Sequence, residues 1–189
     1  MKTIDLKFNT PVCEVVFSNL QNPSKFDETK YSVRCSIDSK DAELIDKPCK
    51  IAWEKFCKDN GKKMAYVSPL KPLKDMNGED VPNRLVLKAS RSAKRTMSDG
   101  ETQIDNKARM FDSALQPVEV EPFRGSKLVL SVLPFAYSRN GNSGVSLRLI
   151  AVQVKELAER KANQQKELNA TDFGFEAADG RVAEQNKWC

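Results

Sequence analysis

The sequence of 189 residues predicts a small antiparallel β-barrel with one amphipathic helix among its strands. Three observations point there. Several segments alternate apolar and polar residues with a period of two, one apolar stripe at helical spacing falls between them, and the last two strand segments flank a turn-rich stretch containing Asn140-Gly141.

Taken in order, Thr3 to Phe8 sets Ile4, Leu6 and Phe8 on one face. Pro11 interrupts and Val12 to Phe17 resumes, as two short strands or one strand broken at the proline. Lys30 to Asp38 alternates Tyr31, Val33, Cys35 and Ile37 with Lys30, Ser32, Arg34 and Ser36. Ser39 is placed to cap a helix on which Cys49, Ala52, Trp53, Phe56 and Cys57 form a stripe, with Pro48 dividing it and Gly61 ending it. Trp53 and Phe56 belong to packing. Lys62 to Pro82, with Pro69, Pro72, Pro82 and Asn77-Gly78, reads as a loop. Arg84 to Ser90 alternates again, Leu85, Leu87 and Ala89 against Arg84, Val86, Lys88 and Ser90, and Arg91 to Met110 reads as a second loop. Lys127 to Tyr137 and Val145 to Val154 form a hairpin, and a Lys- and Glu-rich helix from about Val154 to Leu168 leads into a loose tail.

The pattern is mainly β with helices (β+α), an OB-fold-like antiparallel barrel with one amphipathic helix between strands and a C-terminal helix and tail. A β-sandwich is the runner-up. Residues 1–154 would form the barrel domain and 155–189 the helix and mildly acidic tail.

Composition removes several function classes. The chain has no histidine, which eliminates Ser-His-Asp and Cys-His nucleophile pairs and His-ligated zinc. Its five cysteines include no CxxC pair and read as reduced thiols of a cytoplasmic protein. Cys49 and Cys57, eight positions apart on a helix, are separated by about 12 Å and cannot share a metal ion. No cofactor is implied. The longest apolar runs, such as Leu128 to Phe135, fall far short of the roughly 18 residues of a membrane span. Charges near the N-terminus break any signal-peptide core, so neither secretion nor membrane attachment is expected.

The net charge is +5, and the positive charge is concentrated. Glu167, Asp172, Glu176, Asp179 and Glu184 outnumber Arg181 and Lys187 in the tail, whereas Arg84, Lys88, Arg91, Lys94 and Arg95 occupy a stretch without an acid. A basic body with a mildly acidic tail suits a polyanion partner, against the plainer reading of a solvated basic face.

The alternation gives that charge a place. Lys30 and Arg34 on one strand, Arg84 and Lys88 on another and Arg148 on a third share the polar side with Ser32, Ser36, Ser90 and Ser146. Hydroxyls there can bond phosphate oxygens. Arg91, Lys94 and Arg95 continue the charge into a flexible loop able to close over a bound strand. Binders of unpaired strands add aromatic faces on which bases stack. Tyr137 and Phe135, just before Arg139 and the hairpin turn, are the first candidates, although parity leaves open whether Phe135 faces the core. Phe111, beside Arg109 and Met110, is a third, while Tyr31 reads as core.

Short runs spread along the chain carry a resemblance: Asn22-Pro23-Ser24-Lys25-Phe26 with Lys30-Tyr31-Ser32-Val33, Ser39-Lys40-Asp41-Ala42, Leu87-Lys88-Ala89-Ser90, Pro134-Phe135-Ala136-Tyr137 with Gly144-Val145-Ser146-Leu147, and Asp172-Phe173-Gly174-Phe175-Glu176. With them the sequence resembles bacteriophage single-stranded DNA-binding proteins of the OB-fold type encoded with phage replication genes. The resemblance implies coating of single-stranded DNA during replication and recombination in the host bacterial cytoplasm, and a tail that recruits replication or recombination proteins. The ending Gln185-Asn186-Lys187-Trp188-Cys189 departs from the strongly acidic, aromatic-terminated tail of such proteins. Phe173, Phe175 and Trp188 are the remaining tail anchors, against a tail with no role. Oligomeric state is open, a homodimer included.

Two other classes compete with a non-enzymatic binder. Asp99, Glu101 and Asp105, or Asp38, Asp41 and Glu43, would supply the carboxylates of a metal-dependent nuclease. A basic adaptor that binds other proteins is the third.

Overall fold

The computed structural model describes residues 6–61, 63–139 and 141–158. Their elements follow in the order β1 (Phe8–Asn9), β2 (Cys13–Asn19), β3 (Lys30–Asp38), a 3-10 turn (Ser39–Asp41), α1 (Ala42–Asp59), β4 (Lys71–Lys74), β5 (Asp80–Ser92), β6 (Lys94–Thr96), β7 (Gln103–Asp105), β8 (Arg109–Phe111), β9 (Lys127–Arg139) and β10 (Asn142–Glu156).

β2, β3, β5, β10 and β9 pair in that order, and β9 pairs back to β2, which closes a five-stranded barrel of OB-fold type. Four of the five seams are antiparallel and the β5–β10 seam is parallel. The interior follows the alternation: Tyr31, Val33, Cys35 and Ile37 on β3, Leu87 and Ala89 on β5, Leu128, Leu130 and Val132 on β9, and Leu147, Leu149 and Val152 on β10 are buried. β1 and β2 both pair with β9, as Phe8 with Val132 and Cys13 with Leu128, on either side of Pro11. β8 adds to β10 in parallel.

The helix brings Ile45, Cys49 and Trp53 into the same core and packs against β9 and β10. Two expectations about it are corrected. Its entry is capped by Asp38, whose carboxylate accepts from the Lys40 backbone N–H at 3.0 Å, and not by Ser39, which lies inside the 3-10 turn. Pro48 does not divide it. The carbonyl that loses its partner belongs to Leu44 on the exposed side of the helix, where water can replace the missing bond. Beyond the helix, Gly61 takes φ +61°, as a C-terminal stop requires.

Both long loops contain strands. Asn77-Gly78 closes a hairpin between β4 and β5, with the Asp75 carboxylate accepting from Asn77 N–H and Glu79 N–H at 2.8 and 2.9 Å. Pro72 is accommodated because β4 pairs only with β5, and Asn83 at φ 57° marks the irregularity where the β4–β5 register shifts. β6 and β7 form a second hairpin in place of the expected flexible basic loop. Asp99 shapes its turn by accepting from Glu101 N–H and Thr102 N–H, with Gly100 at φ 79°.

β9 and β10 pair from Arg139–Asn142 down to Lys127–Glu156, as the Asn140-Gly141 turn predicts. Val154 remains in β10, so the expected C-terminal helix does not begin there. Lys155 and Glu156 also belong to β10, and Leu157 and Ala158 are not helical; residues 159–168 of that expected helix, the tail anchors Phe173, Phe175 and Trp188, and Ile4 of the first segment lie outside the described residues. No described helix is long and apolar enough to cross a membrane.

Candidate nucleic-acid interface

Residues directly opposite each other in a sheet share a face, so the register shows which predicted cations meet. Arg34 of β3 lies opposite Lys88 of β5, Ser32 opposite Ser90, and Lys30 opposite Ser92. Ser90 in turn aligns with Arg148 of β10, and Ser146 with Phe135 of β9. These residues all fall on the outer face of the barrel, opposite in parity to the buried set. The side chains of Lys30, Arg34, Lys88 and Arg148 reach solvent.

The face is dented by two neighbouring clefts. The first, of about 470 Å³, is lined by Lys30, Ser90, Arg91, Lys94, Arg95, Phe135, Ser146 and Arg148 among others, with no acid in its lining. The Arg148 guanidinium lies over the Phe135 ring at 5.2 Å from its centroid. That contact orients the cation while leaving the ring 49% exposed. β9 resolves the parity of Phe135: Leu128, Leu130, Val132 and Pro134 face inward, which turns Phe135 and Tyr137 outward. Tyr137 lies over Gly144, its register partner, and Arg139 ends the strand in solvent.

The second cleft, of about 340 Å³, shares Lys30 with the first and adds Ser32, Arg34, Lys88, Phe17 and Phe26. Neither Arg34 nor Lys88 makes an ion pair among the described residues. The acid in this lining, Asp27, stands 3.9 Å from Lys30. Its carboxyl is held below the usual range first by the Thr29 hydroxyl, which donates to it at 2.5 Å.

Sequence reasoning missed Phe17 and Phe26. Simple alternation puts Phe17 on the buried face with Cys13 and Val15, but the β2–β3 register slips between Val15 and Phe17 and turns the ring out. Phe26 stands fully exposed on the loop between β2 and β3. The start of that loop is fixed by Glu121, whose carboxylate accepts from the Ser18 hydroxyl, from Leu20 N–H at 3.0 Å and from Gln21 N–H at 2.6 Å. The run containing Phe26 carries part of the phage resemblance, and that was the available signal.

The β6–β7 hairpin is held beside the first cleft by polar anchors. The buried Tyr31 donates to Asp105 at 2.6 Å, and burial followed by that carboxylate pushes its phenol up to about 12. Arg91 donates to Asn106 Oδ1 at 2.6 Å and to the carbonyl of Ile150 at 3.2 Å, the residue skipped at the β9–β10 register shift. Burial, and then Arg95, Arg109 and Arg148, pull the Arg91 guanidinium below its usual value, which shows how closely the cations crowd here. The hairpin thereby presents Lys94 and Arg95 at the cleft.

Two predicted residues stand apart. Arg84 is at the other end of β5, about 20 Å from Ser90 along the strand, and donates to Glu14 at 3.0 Å and Ser36 at 2.5 Å. Phe111 pairs with Gln153 near the far end of β10 and lines a separate cleft with Gln21 and Pro117. Three of the six candidate nuclease acids are engaged elsewhere, Asp99 in its turn, Asp105 on Tyr31 and Asp38 at the 3-10 turn. Among the described residues no group of three or more His, Cys, Asp or Glu side chains is placed to hold a metal ion.

No family model matches the sequence, and no curated protein matches it. Solved structures do. The chain is similar to gp2.5, a single-stranded DNA-binding protein encoded by bacteriophage T7, at 18% identity over 87% of this chain and 98% of that one, with a TM-score of 0.57. The fold is shared with phage single-stranded DNA-binding proteins. The single-stranded DNA-binding protein of bacteriophage Enc34 matches at 12% identity over 91% of this chain and 97% of that one, with a TM-score of 0.58. The Enc34 protein in complex with single-stranded DNA matches at 14% identity over 84% of this chain and 95% of that one, with a TM-score of 0.59.

Proposed function

We propose that this protein binds single-stranded DNA along the outer face of its barrel, coating and protecting unpaired DNA during phage replication and recombination without catalysing a reaction. The observation that carries this reading is that two clefts share Lys30 in their linings, and that Arg34, Lys88 and Arg148, none with an ion pair among the described residues, line them together with exposed aromatic rings. Lys30, Arg34, Lys88, Arg91, Lys94, Arg95 and Arg148 would neutralise phosphates, and Phe17, Phe26, Phe135 and Tyr137 would stack on bases. Rings demand bases freed from pairing, which favours single strands over duplex. The three neighbours support the assignment, one of them being a complex with single-stranded DNA. Arg84, already bonded to Glu14 and Ser36, falls outside this site. The segment that follows β10 recruits replication or recombination proteins, with Phe173, Phe175 and Trp188 as anchors, and the protein acts in the host bacterial cytoplasm.

Fluorescence anisotropy of a labelled single-stranded oligonucleotide, with duplex DNA and RNA of equal length as competitors, tests the reading. Tight binding that weakens with salt and yields poorly to duplex is expected. Equal competition by duplex would reduce the site to a nonspecific basic surface, and no binding at low salt would return the protein to the adaptor class.

A further inference from the structure

A further cleft, of about 440 Å³, continues the same face past the two that share Lys30. It shares Arg34 and Lys88 with the second cleft and adds Lys71 and Lys74 from β4, with Val16, Pro69, Pro72, Leu73 and Val86 supplying apolar walls. Every charged residue of this lining is a cation. Lys71 lies opposite Val86, which has the parity of Lys88, so its side chain belongs to the outer face. It is exposed and has no ion pair among the described residues, whereas Lys74 is bonded to Asp80 at 3.4 Å and to the Gly78 carbonyl at 3.0 Å. The sequence gives no hint of this, because the prolines around Lys71 make the segment look like a loop.

We infer that the β4–β5 hairpin extends the single-stranded DNA site, with Lys71 neutralising a further phosphate beyond Arg34 and Lys88. This rests on the proposed function and lengthens its site. The strand's backbone passes from the cleft of Arg148 and Phe135 over Lys30, between Arg34 and Lys88, and on across β4. An anionic polymer is the occupant because the three clefts share basic walls in series, so that one continuous chain of charge satisfies all of them. Apolar walls between the cations suit the bases that alternate with the phosphates.

Length dependence tests the inference. Oligothymidylates of roughly 4 to 16 nucleotides, the range of OB-fold footprints, are titrated against the wild-type protein and the variants Lys71→Ala, Arg34→Ala and Lys58→Ala. Lys58→Ala removes an equal charge from the exposed end of the helix, outside all three clefts. Lys71→Ala is expected to bind the shortest oligonucleotides as the wild type does and to lose affinity only at longer lengths. There its log-log salt slope is expected to flatten by about 0.7, the value of one phosphate on a single strand. If Lys71→Ala matches the wild type at every length while Arg34→Ala weakens binding, the extension across β4 is wrong and the site ends at the second cleft. Loss in Lys58→Ala equal to that in Lys71→Ala would also overturn it, because net charge alone would then account for the effect. If neither the wild type nor any variant shows salt-dependent binding, the proposed function itself fails.

Discussion

Arg84 and Lys88 stand on one strand and on one face, yet they meet opposite surroundings. Arg84 is bonded to the Glu14 carboxylate and the Ser36 hydroxyl, so its charge is used within the barrel. Lys88 faces Arg34 across the β3–β5 seam, with no ion pair for either among the described residues. Like charges directly opposite each other in a sheet are destabilising, and an exposed ion pair contributes only about 0.2 to 1 kcal/mol. One end of β5 is therefore arranged for the fold, and the other carries a charge excess that a polyanion would relieve. Strand alternation sorts side chains by face, but the neighbour across the ladder decides which cation stays free for a ligand.

The largest expected effect comes from the ring that faces the free end. Phe135→Ala should weaken single-stranded DNA binding by roughly 1 to 3 kcal/mol, while Phe135→Tyr, which keeps the ring, stays near wild type in the same anisotropy titration. A loss confined to thermal stability would place Phe135 in packing alone.

Removing charge from the free end should separate binding from stability. Arg34→Ala or Lys88→Ala is expected to flatten the log-log salt slope by about 0.7 for the phosphate released, with urea denaturation showing stability unchanged or slightly raised. A clear fall in stability with the salt slope intact would show that these cations serve the fold rather than a ligand.

The hairpin beside the first cleft offers a test through pH. Tyr31→Phe removes the hydrogen bond to Asp105 and should cost about 1 kcal/mol at neutral pH. The phenol of the folded protein lies at about 12, above the unfolded value near 10. The folded state therefore holds the proton more tightly. The advantage of the wild type over Tyr31→Phe is full below pH 10 and should vanish as pH rises through about 12. A constant difference across that window in denaturation at each pH would contradict the assignment.

The smallest effect is expected at the paired end, where Arg84→Ala should lower stability by about 0.2 to 1 kcal/mol.

Most of the barrel was legible because its strands are half-buried and alternate strictly. Lys30–Asp38 has the bounds that period-two alternation gives, and the β9–β10 hairpin follows from its Asn-Gly turn. The misses share a physical cause, which is that local signals say nothing of partners distant in sequence. Prolines argue for a loop at Pro72 unless an edge strand admits them, and the β6–β7 strands are too short and polar to alternate visibly. The slip between Val15 and Phe17 reverses the parity of a ring, and nothing near Phe17 announces it. In the site, Lys30, Arg34, Lys88 and Arg148 were readable as one face, whereas the engagement of Arg84 depends on Glu14, which is 70 positions away.

The most direct test of this account compares Lys88→Ala and Arg84→Ala, two single-charge removals from the same face of the same strand, in salt-dependent titrations against single-stranded DNA. Lys88→Ala is expected to flatten the slope by about 0.7 and Arg84→Ala to leave it unchanged. Equal flattening in both variants, or none in either, would contradict it.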